Sequence, residues 1–441
     1  MTAAVLLACL SLIVLNAPAL AQSGALDTTF GADGKVTTDF DSRWSAFDES
    51  WDVALQTDGK IVAAGKTGGS GRFALARYHM DGTLDHSFGG DGKVTTNFSW
   101  GEDVARGVTV QTDGKIVVAG DSAGHGFANS MFAVSRYNPD GTLDTSFGGD
   151  GKVRTQLSAL NDYVGGLALQ SDGRIVVAGG ARLNGAHPQF AVTRYNVDGT
   201  LDASFSGDGK ATTDLTSGND FANAVTVDTD GSLILGGSAW PRGRAKGGSR
   251  FAMVRYTPQG TLDASFGGDG KVLTKLTRRN DSVQDVAVQT DGKIVAAGVA
   301  GFREELQTMF GDASVALTRY NADGKLDKGF GRNGKVKTQL TRRVDAAFGV
   351  GLQGDGKIVV GGLAGGSRGG RRGRFGLARY ETDGTLDTAF GSAGRVTTSF
   401  TARADFASSI VIQTDGRIVL AGVSRWASPK SRFALARYLA P

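Results

Sequence analysis

One feature constrains this chain more than any other: the same unit is written seven times. An "LDxxF" marker begins at Leu26, Leu84, Leu143, Leu201, Leu262, Leu326 and Leu386. An Arg-Tyr pair ends at Tyr78, Tyr137, Tyr195, Tyr256, Tyr320, Tyr380 and Tyr438. An Asp-Gly turn starts at Asp58, Asp113, Asp172, Asp230, Asp291, Asp355 and Asp415, and successive markers lie 55 to 64 residues apart. A unit this short cannot bury an apolar face alone, so neighbouring copies must stack on one another.

Each copy reads as four short strands. In the second, residues 107–111 ("GVTVQ") alternate apolar with small or polar side chains, and residues 115–120 ("KIVVAG") follow a "TDG" turn. Asp-Gly between two such runs is the strongest local hairpin signal, because glycine supplies positive φ. A variable segment leads to "MFAVSRY" at 131–137, and the stretch after the "NPDG" turn places a fourth strand over 152–157. No unit shows helical periodicity. The pattern predicts an all-β chain: a seven-bladed β-propeller with four antiparallel strands per blade. The final copy supplies strands near 410–413, 417–422 and 433–438 but no fourth, while the N-terminus opens on an unaccompanied fourth strand, "GKVTTDF" at 34–40. The N-terminal strand within 26–40 is therefore expected to pair with the C-terminal strands within 405–438, closing the ring and hiding its edges. A single propeller over residues 22–441 is the expected organisation.

Composition agrees, with 67 glycines against 7 prolines and 40% hydrophobic residues. That is enough apolar content for a packed core with many turns. A net charge of +4 is too small to imply nucleic-acid binding. Residues 1–21 form an apolar run ending Ala19-Leu20-Ala21 and read as a signal peptide, although no Lys or Arg precedes the run. The expected destination is secreted, periplasmic or cell-surface. Cys9, the one cysteine, lies inside that segment, so the mature chain would have no disulfide or thiol chemistry. No later apolar stretch is long enough to span a membrane. The unit "DxxxxVAVQTDGKIVVAG…FAxxRYNxDGTLDxSFGGDGKV" resembles the bacterial delta-60 repeat across residues 26–438. The resemblance implies a propeller in an exported bacterial protein and carries no catalytic residues with it.

Two polar series recur. Arg77, Arg136, Arg194, Arg255, Arg319, Arg379 and Arg437 precede the tyrosines, and Asp85, Asp144, Asp202, Asp263, Asp327 and Asp387 follow. These are expected to pair within blades, with Asp27 serving Arg437 from the other chain end. A second series, Asp48, Asp103, Asp162, Asp220, Asp281, Asp345 and Asp405, stands ten residues before each hairpin aspartate. These carboxylates either cap N–H groups of the D–A loops or form a channel ring for an axial cation such as calcium.

The copies differ most in their loops. B–C insertions at 238–250, 299–314, 363–374 and 423–432, and D–A loops "TRRND", "TRRVD" and "TARAD", emerge on one face of a four-stranded meander. They would gather Arg242, Arg244, Arg278, Arg279, Arg342, Arg343, Arg371, Arg372 and Arg374, with Trp240 and Trp426 among them. Such a face suits an acidic glycan, a cell-wall polymer or a protein partner. Nucleic acid is not expected for an exported chain, and the protein is expected to be a monomer. His79, His86, His125 and His187 stand in unrelated places, and there is no nucleophile elbow or phosphate loop. Binding or scaffolding is the expected role; a cation-dependent binder or a lyase- or hydrolase-type enzyme at the channel mouth is the competing one.

Overall fold

The protein is described by a computed structural model covering residues 22–40, 47–68, 71–124, 129–183, 187–242, 248–302, 313–366 and 372–440. These residues form seven four-stranded antiparallel sheets. After β1 (Lys35–Thr38), blade 1 is β2 (Glu49–Leu55), β3 (Ile61–Thr67), β4 (Arg72–Tyr78) and β5 (Lys93–Thr96). Blade 2 is β6 (Asp103–Val110), β7 (Ile116–Ser122), β8 (Met131–Tyr137) and β9 (Lys152–Thr155). Blade 3 is β10 (Asp162–Leu169), β11 (Ile175–Ala181), β12 (Gln189–Tyr195) and β13 (Lys210–Thr213). Blade 4 is β14 (Asp220–Val227), β15 (Leu233–Ala239), β16 (Arg250–Tyr256) and β17 (Lys271–Thr274). Blade 5 is β18 (Asn280–Val288), β19 (Ile294–Phe302), β20 (Ser314–Tyr320) and β21 (Lys335–Thr338). Blade 6 is β22 (Val344–Leu352), β23 (Ile358–Gly366), β24 (Arg374–Tyr380) and β25 (Arg395–Thr398). Blade 7 is β26 (Phe406–Ile412), β27 (Ile418–Ser424) and β28 (Arg432–Tyr438), completed by β1.

The first strand of each blade, strand A, touches strand A of the next, and β26 closes onto β2, so the A strands wall the axis. The core lies between blades. Val117, Phe132, Val134 and Phe147 of blade 2, for example, pack with Val164, Ile175, Val177 and Tyr195 of blade 3. Every face of every sheet is thus covered by a neighbour, as a radial repeat requires.

The repeat markers are the joints between blades. Arg136 donates through Nε to Asp144 Oδ2 at 2.7 Å, lies 4.9 Å from the Phe147 ring, and reaches the Val197 carbonyl of the next blade. The adjacent Tyr137 reaches the other way, donating to Thr96 Oγ1 of the preceding blade at 2.7 Å. One Arg-Tyr pair therefore ties three consecutive blades, which accounts for its recurrence together with the LDxxF motif.

Ring closure follows the expected pairing. Lys35 to Thr38 align antiparallel with Ala436 to Phe433. The chain ends also rebuild the tight turn that other blades make with one continuous segment. Gly24 N–H donates to Leu439 O, Leu439 N–H to Ala25 O, and Gly391 N–H to Ser23 O. In blade 2 the same three bonds run from Gly141 to Asn138, Asn138 to Thr142, and Gly89 to Asp140.

The structure departs from the sequence reading in strand A. Residues 107–111 were the expected span, but the strand runs Asp103–Val110 and carries a β-bulge between Ala105 and Gly107. Its extra residue, Arg106, breaks the two-residue alternation that marks a strand. The same register shift occurs in all seven blades and pushes a strand-A carbonyl toward strand B. A Cβ on Gly120 would lie 2.0 Å from Val104 O, and the equivalent glycines of the other blades would meet the same clash. The repeated "AG" or "GG" of strand B is therefore the steric partner of the bulge.

Candidate binding face and channel mouth

The seven aspartates at the entrance to strand A are fully buried. Asp162 accepts from Leu157 N–H at 2.8 Å, Ser158 N–H at 3.3 Å and Ser158 Oγ at 2.6 Å. Asp220 accepts from Leu215 N–H, Thr216 N–H and Thr216 Oγ1, and Asp281 from Leu276 N–H, Thr277 N–H and Thr277 Oγ1. Asp103, Asp345 and Asp405 hold their own D–A loops in the same way, while Asp48 takes Phe40 N–H and the Thr67 hydroxyl. The aspartate N–H reaches backward as well: Asp162 to Ser130 O, Asp220 to Pro188 O and Asp405 to Gly373 O, each on the preceding blade's B–C loop. These residues organise the loops, and their oxygens are spent on backbone and hydroxyl donors. Burial pushes the Asp48 carboxyl up to about 6 and raises those of Asp162, Asp220 and Asp345, against those hydrogen bonds. Among the described residues no three His, Cys, Asp or Glu side chains assemble into a metal-holding group.

The loop arginines contrast with the framework arginines. Arg242, Arg278, Arg342, Arg343, Arg372, Arg374 and Arg403 are exposed, whereas Arg77, Arg136, Arg194, Arg379 and Arg437 are buried and ion-paired. Arg279 is half-buried; Arg244 and Arg371 lie outside the described residues. Trp240 sits edge-on to Phe302 at 6.1 Å, and Trp426 is perpendicular to Phe406 at 5.7 Å, so both anchor loops against the top of the ring.

Sequence reasoning missed the ring of bulge residues. Counting three places on from each capping aspartate gives Trp51, Arg106, Gly165, Asn223, Gln284, Phe348 and Ser408, no two alike. In a chain whose copies agree wherever packing demands it, one column of seven different side chains is where the copies are free to specialise. They sit on the innermost strand at its loop-face end, and all but Ser408 are partly exposed. Trp51 lies 6.0 Å from Phe406, which lies 6.0 Å from Phe348, and the Arg106 guanidinium stands 5.0 Å from the Trp51 ring. Arg106 is held by Asp121, whose other oxygen accepts from Val164 N–H of blade 3. Aligning the seven copies column by column was the signal that could have found this ring.

One residue further along strand A, the column reads Asp52, Gly107, Gly166, Ala224, Asp285, Gly349 and Ser409. Asp52 accepts from Val108 N–H of blade 2 and Ser409 Oγ of blade 7. Asp285 accepts from Val350 N–H of blade 6 at 2.7 Å. Burial in the channel wall pushes Asp52 up to about 6 and Asp285 up to about 7, with Asp52 adding repulsion to Asp285. Blades 1 and 5 stand on opposite sides of a sevenfold ring, so the two carboxyls belong to opposite walls of the channel.

A cavity of about 680 Å³ opens on the other face, between blades 3 and 4, lined by Gln170, Arg174, Arg194, Asp228, Gly231 and Pro258 among others. Its polar groups belong to the framework: Arg194 pairs with Asp202 and reaches Pro258 O, and Gln170 Nε2 donates to Gly231 O.

Fold and face together define a closed, seven-bladed propeller whose blades share a framework and differ at one mouth. The chain belongs to the DUF5122 family, described as a β-propeller domain of unknown function, which matches residues 56–88, 111–147, 170–205, 229–266, 289–330, 353–390 and 413–440. A search of curated proteins finds no match to the sequence. Among solved structures, it is similar to the polysaccharide lyase Uly1, at 10% identity and a TM-score of 0.49, covering 95% of this chain and 97% of that one. A protein of unknown function from Dyadobacter fermentans gives 13% identity and a TM-score of 0.45, covering 92% and 98%. The PQQ-bound aldose sugar dehydrogenase of Streptomyces coelicolor gives 11% and 0.42, covering 91% and 98%.

Proposed function

We propose that this chain is an exported binding propeller of the delta-60 type, which engages an acidic polymer of the cell envelope through its D–A/B–C loop face. One observation carries this reading: Arg242, Arg278, Arg342, Arg343, Arg372, Arg374 and Arg403 of the D–A and B–C loops are exposed, while the arginines of the recurring Arg-Tyr pairs are buried and paired. A cationic surface gathered on one side raises the local concentration of a polyanion and fixes which face it meets. Export is part of the same proposal and rests on residues 1–21.

The test is charge reversal of Arg342, Arg343, Arg372 and Arg374 together, followed by co-sedimentation with isolated acidic cell-wall polymer at about 0.15 M salt. Loss of sedimentation with an unchanged melting temperature is expected; undiminished sedimentation overturns the basic-face reading. Fractionation of cells expressing the full chain tests export, since recovery in the cytoplasm with Met1 intact overturns it.

A further inference from the structure

We propose, resting on the loop-face reading above, that the channel mouth seats a sugar ring of an acidic glycan, with a second ring stacked on Trp100. Trp51, Gln284 and Asn223 belong to the mouth, and the exposed arginines of blades 4 to 7 hold the anionic groups.

Four observations converge. The bulge column carries seven different side chains, although the bulge itself is common to all seven blades. Its side chains supply aromatic surface for C–H faces and amides for hydroxyls, while Arg106 is already paired with Asp121 and stacked on Trp51, which leaves acid groups to the loop arginines. The amide nitrogen of Asn223 is fixed by Val283 O at 2.7 Å and Ser282 Oγ at 3.1 Å, which leaves Oδ1 as its acceptor. Gln284 is steadied by its own bond to Ser282 Oγ at 2.9 Å. The buried Trp51 indole N–H has no acceptor among the described residues.

Trp100 is the outlying observation. It is 93% exposed at the tip of the D–A loop entering blade 2. That loop is not loose: Ser99 Oγ accepts from Gly101 N–H and donates to Ala123 O. The loop thus holds a flat indole face out to solvent in a fixed position, where a sugar ring can stack on it. Tyr163, 37% exposed on the next blade, continues the aromatic side of the face. The large apolar side chains exposed here are Trp100, Leu160 and Tyr163, fewer than the apolar core of a protein interface requires. That favours a glycan over a protein partner.

The experiment titrates the purified chain with oligogalacturonate, alginate oligomer and sulfated dextran, with neutral dextran as control, by calorimetry and tryptophan fluorescence. Trp100→Ala is fully exposed and Gln284→Ala keeps the backbone, so both variants should fold, which thermal melting checks. Binding of at least one acidic probe is expected, with each variant about tenfold weaker and neutral dextran inert. If charge reversal of the loop arginines abolishes binding while W100A and Q284A bind like wild type, the basic face stands and the sugar seat is overturned. Failure of all three acidic probes, or equal binding of neutral dextran, also overturns it.

Discussion

Arg437 Nε donates to Asp27 Oδ2 at 2.8 Å, joining residues 410 positions apart in sequence. In every other blade the same pair is local, so here a repeat element has become the lock of the ring. Burial opposes ionisation of Asp27, but Thr29 and Arg437 outweigh it and hold the carboxyl below its ordinary range.

Asp27→Ala leaves a buried guanidinium short of its counter-ion and should cost about 3–5 kcal/mol. Asp144→Ala removes the equivalent pair in blade 2 and should cost about as much, but only Asp27→Ala should release residues 22–40 to a protease. Urea unfolding with limited proteolysis checks both; a D27A variant as stable and as protected as wild type would refute the lock.

Gly120→Ala places a Cβ against the Val104 carbonyl and should destabilise by about 1–3 kcal/mol. The damage should extend to the mouth, because the glycine and the bulge that presents Arg106 are one steric unit. Denaturant midpoints give the cost, and quenching of Trp51, which Arg106 overlies, reports the mouth. A neutral G120A would mean that strand B tolerates a side chain there.

The carboxyls predict an unusual pH profile. Asp52 and Asp285 have folded pKa values raised to about 6 and about 7. Their contribution is complete below the unfolded value near 3.8 and is lost as pH rises through 6 to 7. Asp27 and Asp85 are shifted the other way, Asp85 to about 2, and their contribution is lost as pH falls from about 4 toward 2. Stability should therefore peak at roughly pH 4–5 and decline toward pH 8, by on the order of 2–3 kcal/mol per channel carboxyl. D52N and D285N should flatten the alkaline side. A wild-type melting temperature that rises between pH 5 and pH 8 contradicts this.

Asp220→Ala strips a cap from two N–H groups and a hydroxyl and should cost about 1–3 kcal/mol. A chelator should leave the wild-type melting temperature unchanged, because the carboxylate is satisfied by the loop. A drop on chelation would show that these aspartates hold an ion.

What the sequence made legible was what recurs. Blade number, strand order, the Arg–Asp pairs and the closing role of residues 34–40 follow from counting markers and matching one missing strand to one surplus strand. The reach of Arg136 to Val197 O was invisible, since a side chain bonded to a neighbour's backbone leaves no pattern in residue identity. The upper half of strand A was missed because the bulge disrupts the alternation that reveals a strand. The candidate mouth lay in that blind stretch, and its signal was disagreement among copies, which a search for similarity discards.

The bulge has a consequence for diversification. Each blade offers one position whose side chain can be exchanged while its glycine, capping aspartate and Arg-Tyr joint stay as they are. The scaffold thus behaves as a holder with seven addressable slots around a single axis. Under the binding role proposed above, specificity would be rewritten slot by slot, in evolution or at the bench, without renegotiating the fold.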